Sequence, residues 1–404
     1  MKVLWLLLLF CGSLLAKIQL GVDVFFQEER FKILKGKKVA LLSNHTSVDG
    51  QQRPTLELLQ QFEKEYKIAS LFCPEHGLKG IAYAAESVGH KKEGKLTCYS
   101  LHGAHRRPTA EMLKGLDVII CDLQEIGCRS YTYATTLFFV MEEAAKRSIE
   151  VIVLDRPNPI GGTIVDGPML KESSRSFVGY INVPYCHGMT IGELARFFNE
   201  EYKVKCRLKI VPMKGWKREM TYPETGLVWI PTSPQIPEAD TPFFYPATGL
   251  LGELQLVSIG IGYTLPFKVI GAPWIEAKTF VKALNDQNLK GVKFIPFHFK
   301  PYFGPYKGEE CHGARILITD PKHFRPVSID YIMMGTLKSL YPREVNQRLK
   351  NLPEGKRALF CKANGNTLIW DTLLREKYAG WKMAAIDKEE RQAFLEKRQK
   401  YLLY

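Results

Sequence analysis

Five short runs of branched apolar residues recur along the first half of the chain, and stretches with helical spacing separate them. The runs are Val39-Ala40-Leu41-Leu42, Ile68-Ala69-Ser70-Leu71-Phe72, Val118-Ile119-Ile120-Cys121, Val151-Ile152-Val153-Leu154 and Leu208-Lys209-Ile210-Val211. Continuous apolar strands of this kind are buried on both faces, the condition of a parallel sheet covered by helices. The spacing predicts helices over about 54–65, 108–115, 132–147 and 190–203, the last opened by Thr190 and Glu193 at capping-box separation. The fold class is therefore α/β: a Rossmann-like, doubly wound parallel sheet followed by a smaller mixed α/β domain.

The division falls where Pro223, Pro231, Pro234, Pro237, Pro242 and Pro246 crowd into 24 residues, too dense for helix or central strand. The expected domains are 17–225, carrying the catalytic sheet, and 226–404, completing the cleft. Within the second, a strand is expected at Ala314-Arg315-Ile316-Leu317-Ile318, a helix at 327–340 and a charged amphipathic helix at about 387–402.

Residues 1–16 carry Met1-Lys2, an apolar run from Val3 to Phe10 and a small residue, Ala16, suited to cleavage. This is the pattern of a secretory signal peptide, so the mature chain is expected in the periplasm or outside the cell. A bilayer span needs about 20 apolar residues, and no run reaches that length, so stable membrane insertion is not expected. With 404 residues and 46% hydrophobic content the chain can bury a core without disulfides or metal. The net charge of +14 favours acidic partners. Its basic groups are scattered, however, without the arginine and aromatic interleaving of a base-stacking surface, and nucleic acid is not an expected partner. The cysteines at 73, 98, 121, 128, 186, 206, 311 and 361 form no C-x-x-C pair, so neither a zinc ribbon nor a disulfide scaffold is indicated.

In an open parallel sheet ligands bind outside the carboxyl ends of the strands. Four of the runs end in polar clusters: Ser43-Asn44-His45-Thr46, Pro74-Glu75-His76-Gly77, Asp122-Leu123-Gln124-Glu125-Ile126-Gly127-Cys128-Arg129 and Asp155-Arg156-Pro157-Asn158-Pro159. The clusters lie far apart in sequence, but this topology sets them along one edge. No G-x-G-x-x-G follows the first strand, and neither G-x-x-x-x-G-K-[ST] nor G-x-S-x-G occurs, which argues against nucleotide cofactors and serine hydrolase chemistry. Carboxylate chemistry or a metal remains. Glu75 and Glu125 form the pair a glycosidase uses, one protonated to donate to the leaving oxygen and one ionised as base or nucleophile. A metal would draw on His76, Asp122, Asp155 and His187, with the loop histidines His102 and His105 nearby. No helix carries histidines at i and i+4, however, and no metal or cofactor is assigned. Asn44-His45-Thr46 fits a glycosylation acceptor, but its strand-end position favours an internal hydrogen-bonding role.

At these same segments the chain resembles the exo-β-N-acetylmuramidase family. The likeness runs through Ser43-Asn44-His45-Thr46, Pro74-Glu75-His76-Gly77, Gln124-Glu125-Ile126-Gly127 with Tyr131-Thr132-Tyr133, Leu154 to Pro159, Val165-Asp166-Gly167-Pro168, and His187-Gly188-Met189-Thr190. Weaker echoes at Pro266-Phe267, Gly271 to Trp274 and Tyr401-Leu402-Leu403-Tyr404 extend it over most of the chain. The resemblance implies a Rossmann-like domain joined to a smaller α/β domain with the active site between them. It implies removal of terminal N-acetylmuramic acid from peptidoglycan fragments, with Glu75 as catalytic acid and Glu125, where the family usually has aspartate, as its partner. Asn44, His76, Glu86, Arg129, Tyr131, Asp155, Arg156, Asn158 and His187 are then expected to bind the saccharide. Where the family usually reads E-G-T-N-x-S-x-G-R-G-T and then P-F-E, this chain has Leu254, Leu256, Ile259, Ile261 and Lys268. The alternatives are a catalytically silent cell-wall glycan-binding protein of the same fold and a metal-dependent hydrolase.

Overall fold

The computed structural model describes residues 18–83 and 86–404, so the segment read as a signal peptide lies outside the described residues. The first half forms a sheet of β1 (Lys38–Ser43), β2 (Lys67–Cys73), β3 (Lys91–Glu93), β4 (Leu96–Ser100), β5 (Val118–Asp122), β6 (Glu150–Leu154) and β7 (Arg207–Val211). Their order is β3-β4-β2-β1-β5-β6-β7, parallel except for the β3–β4 hairpin. Without the β3 edge this is the 3-2-1-4-5-6 order of a doubly wound sheet, with its switch of direction at β1. All five expected runs are strands. The β3–β4 hairpin was not anticipated, because Lys91-Lys92-Glu93 is a charged, exposed edge rather than an apolar core strand.

Alternating burial explains how the sheet is covered. Ala40, Leu42, Ile119, Cys121, Val151 and Val153 join one apolar cluster, while Val39, Leu41, Val118, Ile120, Ile152 and Leu154 join another on the opposite face. Helices α1 (Gly21–Gln27), α2 (Thr55–Gln60), α3 (Thr132–Ala145) and α4 (Ile191–Glu201) pack around it. Thr190 and Glu193 close the expected capping box at the start of α4. Two helices are shorter than their spacing predicts. Helix α2 tightens after Gln60 into i→i+3 turns as Phe62 stacks on Phe31, with ring centroids 4.1 Å apart. Residues 108–115 form only turns, held between Pro108 and Gly115.

The second half contains α5 (Thr241–Glu253), β8 (Val269–Ala272), α6 (Ala277–Asn285), β9 (Val292–Phe299), β10 (Cys311–Ile318), α7 (Pro326–Leu340), α8 (Pro342–Lys350), α9 (Glu354–Asn364) and three further helices ending at Lys397. Its antiparallel sheet has the order β8-β10-β9. Helix α5 corrects the reading of the proline-rich stretch as helix-free. Pro242 sits in the first turn, where an N–H has no intrahelical partner, so only Pro246 removes a backbone hydrogen bond. The chain then returns to the first sheet: the Tyr404 hydroxyl donates to Asp155 at 2.7 Å, and Arg398 donates to the carbonyls of Gly162, His187 and Gly188. Among the described residues no helix is long and apolar enough to cross a membrane.

Candidate active site

Strand β2 ends at Cys73, and Glu75 follows it onto the carboxyl edge of the sheet. The next two residues, His76 and Gly77, both take left-handed backbone conformations, with φ of 70° and 75°. That conformation is uncommon for histidine and marks a tightly constrained turn. The His76 ring Nδ1 lies 2.7 Å from the Ala82 carbonyl and closes the loop beneath the acid. Thr132, the first residue of α3, donates its hydroxyl to Glu75 Oε2 at 2.7 Å, and His102 Nε2 stands 3.7 Å from Oε1. Burial holds the His102 imidazole below its ordinary pKa, which keeps it neutral at pH 7 despite the opposing pull of Glu75.

Glu75, His76, Tyr131 and Thr132 open onto a cavity of about 370 Å³ between the two halves of the chain. Its far wall is built from the second half. Tyr245, Leu250 and Glu253 come from α5, Lys356, Leu359 and Ala363 from one face of α9, and Val257, Ile259, Ile261 and Phe267 from the intervening segment. Tyr131 packs edge-on against Tyr133 and Tyr245, with centroids 4.7 and 6.2 Å away, and burial pushes its phenol up to about 12. Tyr83 stands at the rim, 66% exposed, and its N–H is accepted by the exposed Glu86 carboxylate at 2.8 Å.

The remaining expected residues lie elsewhere. Glu125 is 2% exposed and is not among the residues lining this cavity. Its Oε2 accepts from the Gly127 N–H and faces His187 Nε2 at 3.8 Å, while Oε1 has no hydrogen-bond partner. Burial drives the Glu125 carboxyl up to about 8 and the His187 imidazole down to about 3, the latter aided by the charges of Arg398 and Arg129. Of the expected pair of Glu75 and Glu125, only Glu75 lines this cavity.

The other polar strand ends tie the molecule together. Arg129 donates to the carbonyls of Pro168 and Val183 in the first half and of Ala363 and Asn364 at the end of α9. Asp155 accepts from Thr190, Gly192 and Tyr404. Arg156 grips both oxygens of Asp122, at 2.5 and 2.9 Å, beside a second cavity of about 310 Å³. Asn158 bridges to Met189, and Asn44 accepts twice from Thr46 through Oδ1 while its Nδ2 is buried without a hydrogen-bond partner. A strand end is polar whether it holds a ligand or another loop, so composition could not separate these residues from Glu75. Lys356 and Tyr245 carried no signal, because only the packing of α5 and α9 turns them toward the sheet.

The N-terminal model of the exo-β-N-acetylmuramidase NamZ family matches residues 39–240, and its C-terminal model matches 243–404. The chain belongs to the exo-β-N-acetylmuramidase NamZ family. It is 37% identical over 390 residues to the peptidoglycan β-N-acetylmuramidase NamZ of Bacillus subtilis strain 168, covering 96% of this chain and 92% of that protein. Two crystal structures of DUF1343 family proteins from Bacteroides fragilis NCTC 9343 share the fold. One has a TM-score of 0.89 at 38% identity and the other 0.72 at 27%, each alignment covering 96% of this chain and 99% of that one.

Against the usual NamZ pattern, the departures between 253 and 268 divide by location. Leu254 and Leu256 are core residues, 1% and 0% exposed. Lys268 is paired with Glu238 and Asp240. Only Ile259 and Ile261 face the cavity, where they make its wall apolar.

Proposed function

We propose that the protein is an exo-acting glycoside hydrolase that releases terminal β-linked N-acetylmuramic acid from peptidoglycan-derived saccharides. The observation that carries this reading is the Glu75 carboxyl, tied at one oxygen by Thr132 and flanked at the other by His102, on a cavity between the two halves of the chain. Membership of the NamZ family and the activity named for the Bacillus subtilis relative support it.

Glycoside cleavage needs a proton for the departing oxygen and stabilisation of an oxocarbenium-like transition state. Glu75 supplies the proton. His102 beside it, held below its ordinary pKa by burial, stands as a neutral imidazole at that carboxyl. Glu253, the other glutamate lining the cavity, takes the second-carboxyl place first assigned to Glu125, as general base or electrostatic partner. The ring of Tyr131 and the apolar wall exclude water and pack against the sugar. Replacing Glu75 by Gln keeps the hydrogen-bonding shape but removes the transferable proton. It should abolish release of N-acetylmuramic acid from a peptidoglycan-derived saccharide without unfolding the protein.

The same reading places the mature chain outside the cytoplasm, where such saccharides arise. It is supported by residues 1–16, with their charged start, apolar run and Ala16. N-terminal sequencing of exported protein should begin at Lys17.

A further inference from the structure

N-acetylmuramic acid differs from N-acetylglucosamine by a lactyl ether that ends in a carboxylate, so a site that prefers it needs a cation. Several cationic side chains near the cavity are already engaged. Arg129 is buried and spent on four carbonyls, and Lys268 is held by Glu238 and Asp240. His76 is fixed through Nδ1 to the Ala82 carbonyl. Among the described residues, Lys356 is the one lysine or arginine that lines the cavity. It rises from the first turn of α9 on the face that also presents Leu359 and Ala363, and 41% of its side chain remains accessible. Its nearest anion, Glu253, is 3.9 Å away, an ion pair without a hydrogen bond. The ammonium therefore keeps all three donors available to an incoming carboxylate.

We infer that Lys356 is the specificity-determining residue that binds the lactyl carboxylate of the terminal muramic acid, an assignment that rests on the saccharide reading of this cavity. The geometry fits a shared cation. The Lys356–Glu253 ion pair is long, at 3.9 Å, and carries no hydrogen bond, so Lys356 breaks none in turning toward the substrate. The apolar side chains of Ile259 and Ile261 offer no competing contact for the charge and suit the methyl groups of the lactyl and acetamido substituents.

Product binding tests this without turnover. Affinities of the wild-type protein, Lys356→Met and Lys356→Arg are measured by calorimetry for N-acetylmuramic acid and for its lactyl methyl ester, which lacks the charge and adds one methyl group. The wild type should bind the acid about tenfold or more tightly than the ester, since a hydrogen bond to a charged group is lost with the ester. Lys356→Met should level the two, and Lys356→Arg should restore the preference. An acid preference that survives in Lys356→Met, or equal binding of acid and ester by folded wild type, overturns the assignment, as does failure of wild type to bind either. Acid preference without hydrolysis of any β-N-acetylmuraminide would instead refute the hydrolase reading and leave the role of Lys356 standing.

Discussion

The hydroxyl of Thr132 donates to Glu75 Oε2 at 2.7 Å, joining the first residue of α3 to the end of β2. One hydrogen bond thus couples the switch region of the sheet to the orientation of the acid that faces the cavity.

Thr132→Val removes that bond while keeping the branched shape. A hydrogen bond to a charged group contributes about 1.5 to 3 kcal/mol, so kcat/KM should fall roughly tenfold to a hundredfold, mostly in kcat. Steady-state kinetics on a muraminide substrate, beside a melting curve little changed from wild type, would check it.

Glu253→Gln is expected to lower kcat by about 10²-fold or more, as removal of a general base does, with melting temperature held or raised because a buried carboxyl has been neutralised. An activity equal to wild type would remove Glu253 from the reaction.

Glu125 gives a prediction of the opposite kind. Its folded pKa of about 8 lies above the ordinary 4.5, so the folded state keeps a proton that the unfolded chain releases. That stabilisation is present in full below pH 4.5 and is lost as pH rises toward 8. Asp155, raised from 3.8 to about 6, adds a slope of the same sign at lower pH. His187, lowered from 6.5 to about 3, contributes stability that is present above pH 6.5 and lost as pH falls toward 3, so it opposes them below 6.5. Above pH 6.5 Glu125 is the one of the three that still titrates. Glu125→Gln should therefore exceed wild type by about 2 to 4 kcal/mol at pH 8 and lose most of that margin at pH 5. Denaturant titrations at the two pH values measure it, and the variant should retain hydrolytic activity.

Arg129→Met leaves the carbonyls of Pro168, Val183, Ala363 and Asn364 without their donor. A loss of about 3 kcal/mol or more is expected, with a melting temperature lower by at least about 5 °C. A variant of unchanged stability but weakened saccharide binding would return Arg129 to the ligand.

The strands were legible because their residues are apolar on both faces. Val39 and Ala40 serve opposite clusters, and no other environment asks for such a run. Glu75 was legible as a carboxylate placed just past such a strand. Glu125, Asp155, Arg156 and Asn158 satisfied the same rule but do not line this cavity, and Asp155, Arg156 and Asn158 are engaged by other loops, since buried charged and amide side chains need partners. The wall opposite Glu75 was less legible. Glu253 and Lys356 sit about a hundred residues apart on α5 and α9, and their meeting at 3.9 Å is a product of tertiary packing that neither local pattern announces.

The most direct test of the central claim is chromophore release from an aryl β-N-acetylmuraminide by residues 17–404, with Glu75→Gln and an aryl β-N-acetylglucosaminide as controls. Turnover of the muraminide, lost in a folded Glu75→Gln protein and absent or much slower with the glucosaminide, is the predicted result. Undiminished turnover in Glu75→Gln, or none by folded wild type, would contradict it.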